Sequence, residues 1–427
     1  MPDELDLDIT LEGGDEDEPL PPPDDAPAPP LDVSMEDDRY SRFRLIPWWN
    51  QELLRRTRVL VIGAGALGNE IVKNLALLGI GHVLVCDMDR IENSNLSRSV
   101  LFRRANEGEY KAEVIARAAR DINPDVNTHP FVGNVLHDVG LGIFRAFDVV
   151  IGGLDNREAR LHINQCCWKM NKPWIDGAIE VVSGMARVFT PPDGACYECT
   201  MNAIDFEMLA RRKSCSLLTR DQMLEGKVPT TPTTSSVIAG IQCQEAVKLV
   251  HGRRELPVLA GKGFFFNGMT LDTFIVDYQR KEDCLSHDTY ETIEEMPWTA
   301  AGTTVREVVE AVHARLGPDA VVELEREIVS TLECRPCGTS EPVYQPLVRL
   351  SEGAARCPGC GEVRWPNLSH SLEADAPYAD RTLAEIGIPP LDIITGRVGF
   401  DRVHFELTGD RPALLGWMEE PAEAVKG

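Results

Sequence analysis

The sequence predicts an α/β protein: a doubly wound, mostly parallel sheet, followed by a smaller α+β region with a cysteine-rich insert. Three observations carry this. Apolar strand-like runs alternate with helical stretches from Arg58 to about Met170, and a glycine-rich turn joins the first run to the first helix. A composition break at Glu291–Ala301 then opens a region with its own pattern of strands and helix. Strands that alternate with helices imply parallel pairing, because each crossover helix returns the chain to the same edge of the sheet.

Taken in order, residues 1–38 hold fifteen of the 68 acidic residues, eight prolines and no Lys or Arg. They read as a disordered acidic tail, too polar to bury the apolar area that ordering requires. Leu5, Leu7, Ile9 and Leu11 alternate there with polar residues, which fits a solubilising tail or a segment that adds as a strand to a basic partner. Residues 39–292 are expected to form the first domain. Its strands are Arg58–Ile62, His82–Cys86, Phe131–Val132 and Asp148–Ile151, and its helices Ala66–Leu78, Lys111–Asp121 and Asn156–Met170. Antiparallel-looking strands follow at 186–190 and 263–277, with a helix at Ser235–Val250 between them. Residues 296–410 are expected as a second domain with a helix at Thr303–Leu316 and strands at Val321–Glu327, Leu391–Thr395 and Val403–Leu407, leaving 411–427 as a tail.

Composition narrows the function. A chain of 427 residues is long enough for two or three domains. The net charge is −25, of which the residues after 38 carry only about −10, so no basic footprint for nucleic acid or an anionic membrane exists. No run reaches the roughly 18 apolar residues of a membrane span, and the first residues are acidic where a secretory signal would be basic. A cytoplasmic location is therefore expected. Six of the twelve cysteines fall in Cys-x-x-Cys pairs, which in a reducing compartment points to metal or thiol chemistry.

Gly63-Ala-Gly65-Ala-Leu-Gly68 fits the phosphate-binding G-x-G-x-x-G turn between a strand and a helix, with Asp87 at the end of the next strand. The glycines let backbone approach phosphates at the helix N-terminus, and Asp87 suits a ribose hydroxyl. Alone, this motif fits a dinucleotide-binding dehydrogenase equally well. The residues that follow are Asp87-Met-Asp89, Ser94-Asn95-Leu-Ser-Arg98, Lys111 and Gly153-Leu-Asp155-Asn156. With them, residues 39–290 resemble the activating enzymes of ubiquitin-like proteins and their bacterial relatives that activate sulfur carriers. The resemblance implies a Rossmann-like adenylation domain. It implies that Arg98 and Lys111 bind ATP phosphates, that Asn95 with Asp87 or Asp89 holds the nucleotide, and that Asp155 coordinates Mg²⁺. A carboxylate attacking the α-phosphorus needs cations and in-line geometry and no general base, since it is already ionised at pH 7. The plain alternatives are that Arg98 and Lys111 are surface charges and that Asp155 caps the following helix. Ser99 departs from the family, which has Gln there. Arg39-Tyr-Ser-Arg42 resembles the helix that supplies an arginine across a dimer interface, implying a homodimer with Arg42 acting in trans.

Cys196-x-x-Cys199 has metal-knuckle spacing but is half a tetrahedral site. The resemblance places a second pair after the strand at 271–277, where Cys284-Leu-Ser-His287 stands, and zinc accepts His in the last position; a redox pair is the alternative. Cys215, in Lys213-Ser-Cys-Ser, resembles the cysteine that forms the thioester in these enzymes. Arg211, Arg212, Lys213 and Arg220 favour its thiolate. The interval that holds a large cysteine domain in the eukaryotic enzymes is short here, so Cys215 belongs to a crossover loop of about 213–232, as in a compact bacterial-type member. Cys166, Cys167 and Cys243 read as core residues.

Cys334-x-x-Cys337 and Cys357-x-x-Cys360, nineteen residues apart, are a zinc-ribbon signal spanning 334–360, closed to catalysis by its four thiolates. Around it, Arg381-Thr-Leu-Ala-Glu-Ile-Gly387 and the last strand resemble the ubiquitin-like (β-grasp) domain with which the activating enzymes recruit a conjugating enzyme; a generic accessory domain is the alternative. The expected function is ATP-dependent adenylation of a ubiquitin-like protein, thioester formation on Cys215 and transfer to a conjugating enzyme, with Mg²⁺ and two Zn²⁺. The rivals are a sulfur-carrier activator, which needs only the adenylate, and a non-catalytic scaffold.

Overall fold

The computed structural model describes residues 38–207, 229–346, 349–350 and 353–419. It divides into two units, Met1–Pro47 and Trp48–Gly427. In the first, the described residues form turns and a single 3-10 turn, Phe43–Leu45, where the sequence suggested a helix; Arg42 sits at its start and is exposed. An Arg44–Asp38 ion pair closes this turn.

In the second unit, Arg58–Ile62 (β1), His82–Cys86 (β2), Asn127–Phe131 (β3), Val149–Gly152 (β4) and Trp174–Glu180 (β5) are parallel. Ser183–Phe189 (β6), Lys262–Asn267 (β7) and Thr273–Asp277 (β8) extend the same sheet antiparallel, giving the order β3-β2-β1-β4-β5-β6-β7-β8. Pro130 is tolerated in β3 because that strand is an edge, where a missing N–H leaves no ladder bond unmade.

A short helix, Gln51–Arg56 (α1), precedes β1. The alternation of the strands decides which core each residue enters. Val59, Val61, Val83, Val85, Val149 and Ile151 point to one face, where Ala66–Leu78 (α2), Lys111–Ile122 (α3) and the helix Pro232–His251 cover them. Leu60, Ile62, Leu84, Cys86 and Val150 point to the other, against Leu141–Ala146 (α4) and Arg157–Lys169 (α5). Cys166, Cys167 and Cys243 are buried in these cores, as expected.

The second sheet comprises Ile293–Met296 (β9), Val321–Cys334 (β10), Thr339–Pro346 (β11), Trp365–Leu372 (β12), Ile393–Val398 (β13) and Asp401–Leu407 (β14). Its order is β11-β10-β13-β14-β9, with β12 also on β10. β9 is parallel to β14, and the helix Val305–Leu316 packs Val305, Val308, Val309 and Val312 against Val322, Ile394, Phe405 and Leu407. A reciprocal Thr304–Glu307 capping box starts that helix.

The second sheet has a core of its own and also packs on the first: Tyr290, Leu391 and Ile393 enter the core beneath α4 and α5. Leu141 N–H donates to Asp392 at 2.9 Å, Gly142 N–H to the Leu391 carbonyl at 2.9 Å, and Arg326 to the His137 carbonyl at 3.0 Å. After the second sheet come a short helix, Arg411–Leu415, and a 3-10 turn, Gly416–Met418. Leu415 and Met418 are buried in the same core, and Trp417 stacks on His129 with ring centres 5.1 Å apart. Burying these apolar side chains, at ~25 cal/mol per Å², outweighs leaving the segment in water.

This junction holds its histidines neutral. Burial lowers His137 and His404 to about 4 and His162 to about 3. Their unfolded values lie near ~6.5, so the unfolded chain binds more protons between the two values. Stability therefore falls as pH drops from about 6.5 towards about 4. Urea midpoints are expected to decline through that window, and less steeply in His162→Leu.

Candidate functional site

The glycine turn, Asp87 and the Asp155 loop follow β1, β2 and β4, three neighbouring parallel strands, and so meet at one edge of the sheet. The chain winds outwards from β1 in both directions, which opens a crevice there. Gly63 has φ +97°, and a Cβ on it would lie 2.5 Å from the Gly153 carbonyl oxygen; one on Gly68 would lie 1.9 Å from the Gly63 oxygen. Gly65 instead faces open space. The turn is thus packed tight from below and bare above, as a phosphate cradle requires. Gly63→Ala is expected to displace the 152–155 segment and weaken ATP binding at least tenfold by calorimetry, since both a strained φ and a backbone clash must be relieved.

Asp87 is used structurally. Its two oxygens accept the Ala64 N–H and the Asp89 N–H, each at 2.7 Å, joining the glycine turn to the end of β2. Burial raises its pKa against the pull of Lys111 and these N–H groups. Asp89 pairs with Lys111 Nζ at 2.8 Å, and Lys111 opens α3 with its N–H on the Asp89 carbonyl. Asn95 accepts the Glu92 N–H at 2.9 Å, and Arg98 donates to the Ser94 carbonyl at 2.8 Å, which ties both to a short 3-10 turn at Asn93–Asn95. Ser99 is buried. Asp155 is exposed, and the cap of α5 is made by Asn156, whose Oδ1 accepts the Ala159 N–H at 2.8 Å. The capping alternative for Asp155 is thereby removed. A hard carboxylate left exposed beside a bare glycine turn fits Mg²⁺ carried on phosphates.

The side chains of both expected groups, three cysteines with a histidine and four cysteines, come together. Cys196 Sγ lies 3.6 Å from Cys199 Sγ and 3.5 Å from Cys284 Sγ, and Cys199 Sγ lies 3.4 Å from His287 Nε2. In the second group Cys334–Cys360 is 3.5 Å and Cys357–Cys337 is 3.9 Å. Four ligands at roughly 2.0–2.3 Å from one zinc stand about 3.5–3.8 Å apart, so the donor sets fit a tetrahedral metal. Backbone N–H groups of Cys360 and Gly359 hold the Cys357 thiol down at about 6. Cys215 lies outside the described residues.

Residues 38–286 match the ThiF family, more than half of the chain. The chain belongs to the ThiF family. Within it, the chain is 33% identical over 260 residues to the SAMP-activating enzyme E1 of Haloferax volcanii, covering 58% of this chain and 87% of that protein. It is 36% identical over 170 residues to the sulfur carrier protein adenylyltransferase of Thermus thermophilus, covering 38% of this chain and 63% of the relative. It is 39% identical over 185 residues to the NEDD8-activating enzyme E1 catalytic subunit of Caenorhabditis elegans, covering 39% and 42%. The matched region thus spans most of the archaeal relative and under half of the nematode one. No helix among the described residues is long and apolar enough to cross a membrane.

Sequence reasoning missed the groups that hold the site from beneath: Asp176, Arg160, Arg187 and Gln242, all buried or nearly so. A signal existed, because Asp176 interrupts an apolar run at Trp174-Ile175 where a charge is costly without a partner.

Proposed function

We propose that this chain uses ATP and Mg²⁺ to adenylate the C-terminal carboxylate of a ubiquitin-like protein. The observation that carries this is the glycine turn packed against the Asp155 loop, with Asp155 exposed and free of capping duty. Arg98 and Lys111 neutralise the phosphates while the carboxylate attacks the α-phosphorus and pyrophosphate leaves; Asp155 would hold Mg²⁺, which would supply further positive charge for the leaving pyrophosphate. Asp87 fixes the loop geometry, and Asn95 and Asp89 hold the nucleotide. Arg42 of a second copy completes the site in a homodimer. The antiparallel flank offers a docking face: Met269, Leu271, Phe274 and Ile275 are exposed, and Phe265 stacks on Phe274 at 5.0 Å.

Cys215 then attacks the acyl-adenylate, forming a thioester and releasing AMP, and a conjugating enzyme docked on the second sheet takes the product. The parallel β9–β14 pair crossed by one helix supports a ubiquitin-fold reading of that sheet, although β9 runs directly into its helix with no hairpin partner among the described residues. Zinc in both cysteine groups is structural, and the ribbon decorates the β10–β12 ladder. Activation of a sulfur carrier is the second reading, favoured by the similarity to the Thermus protein. Non-reducing intact-mass analysis separates them, using ATP, Mg²⁺ and a panel of purified ubiquitin-fold proteins ending in glycine. An adduct cleaved by thiol and absent in Cys215→Ala supports thioester transfer. Pyrophosphate release without an adduct supports the sulfur-carrier reading, and no release with any of them sinks adenylation itself.

A further inference from the structure

The segment Gly152–Asn156 is fastened at successive peptides by groups that solvent does not reach. Gln242, fully buried on the helix Pro232–His251, donates its amide to the Gly152 carbonyl at 2.8 Å and to the Ile175 carbonyl at 3.4 Å. Gly153 N–H donates to the Ile62 carbonyl at 2.8 Å. Arg160 Nη2 donates to the Leu154 carbonyl and, at 3.1 Å, to the Gly177 carbonyl. Arg160 is held in turn by Asp176, fully buried, whose Oδ1 accepts Arg160 Nε at 2.9 Å while Oδ2 accepts Arg187 Nε at 3.0 Å. Exposed Asp155 follows these anchors directly.

Stability is a poor reason for such an arrangement. Taking a carboxylate and two guanidinium groups out of water costs several kcal/mol per ion in general, and apolar replacements of similar volume are often as stable. The Gln242 Oε1 also finds no partner, although it is buried. What charged and amide donors do better than apolar groups is fix carbonyl directions, and both target carbonyls, Gly152 and Leu154, lie just before Asp155 in the chain.

We propose that Asp176 and Gln242 are positioning residues. Acting through Arg160 and the Gly152 carbonyl, they hold Asp155 where phosphate-bound Mg²⁺ needs its carboxylate. This rests on the metal role given to Asp155 above.

Hydrogen–deuterium exchange of the full chain, without nucleotide, tests the anchoring directly. In Asp176→Asn and in Gln242→Leu, amides of 152–157 are expected to exchange about tenfold faster, with 393–407 unchanged. Calorimetry with ATP then tests the consequence: affinity in Mg²⁺ falls about tenfold, the usual range for groups that orient a metal ligand, while affinity in EDTA stays within twofold. If Asp176→Asn does not fold, Gln242→Leu and the milder Gln242→Met carry both measurements. Unchanged exchange at 152–157, or an equal rise at 393–407, overturns the proposal. So does a loosened segment with unaltered Mg²⁺-dependent affinity, provided Asp155→Ala lowers it. If Asp155→Ala leaves that affinity intact, the metal role of Asp155 is what fails, and the proposal falls with it.

Discussion

Replacing Asp155 with alanine is expected to lower ATP–pyrophosphate exchange about 10³-fold and to leave the melting temperature within 1–2 °C of the parent, as removing one preorganised charge partner costs ~3–4 kcal/mol of transition-state stabilisation. The two effects separate because Asp155 is exposed and takes no part in capping α5. Asn156→Ala gives the opposite signature. It deletes the Ala159 N–H acceptor and is expected to cost about 1 kcal/mol of stability, with a smaller loss of exchange through the loosened helix start. Measuring both variants by exchange and by thermal melting distinguishes a residue that binds the reactants from one that builds the helix. Equal activity loss in the two would assign Asp155 to the scaffold.

Metal removal is the second large effect. Two equivalents of zinc per chain are expected by elemental analysis, falling to one in Cys284→Ala and to one in Cys357→Ala. The first group joins Cys196 and Cys199, after β6, to Cys284 and His287, after β8, across 88 residues of sequence. Zinc closing that loop would add stability that chelation would withdraw, since structural sites supply folding free energy on the order of 10 kcal/mol in small domains. Cys284→Ala is therefore expected to lower the melting temperature by more than 10 °C and to impair adenylation with it. The second group lies on the β10–β11 ribbon, away from the glycine turn in the fold order, so Cys357→Ala is expected to leave pyrophosphate exchange within twofold. Fewer than one zinc in the parent protein would discard the structural-metal reading for both groups.

What the sequence determined by itself is local. β1, α2 and β2 lie where the apolar runs and the glycine turn placed them, because strand alternation, helix periodicity and a left-handed glycine are properties of a few adjacent residues. The two metal groups were legible for the same reason within each knuckle, while the joining of Cys196 to Cys284 came from a family pattern. Only the tertiary structure decided how the rest is held. It showed Asp87 bracing two loops through the Ala64 and Asp89 N–H groups, and it carried Asp176, Arg160 and Gln242 from three separate stretches to the underside of one segment. It also packed residues of the second sheet and of 411–419 into the first core. The physical reason is that burial is a sum over partners distant in the chain. A leucine or carboxylate does not by its identity say which surface will cover it, and Leu415, Leu391 and Asp176 acquire their roles from neighbours between 11 and more than 250 residues away.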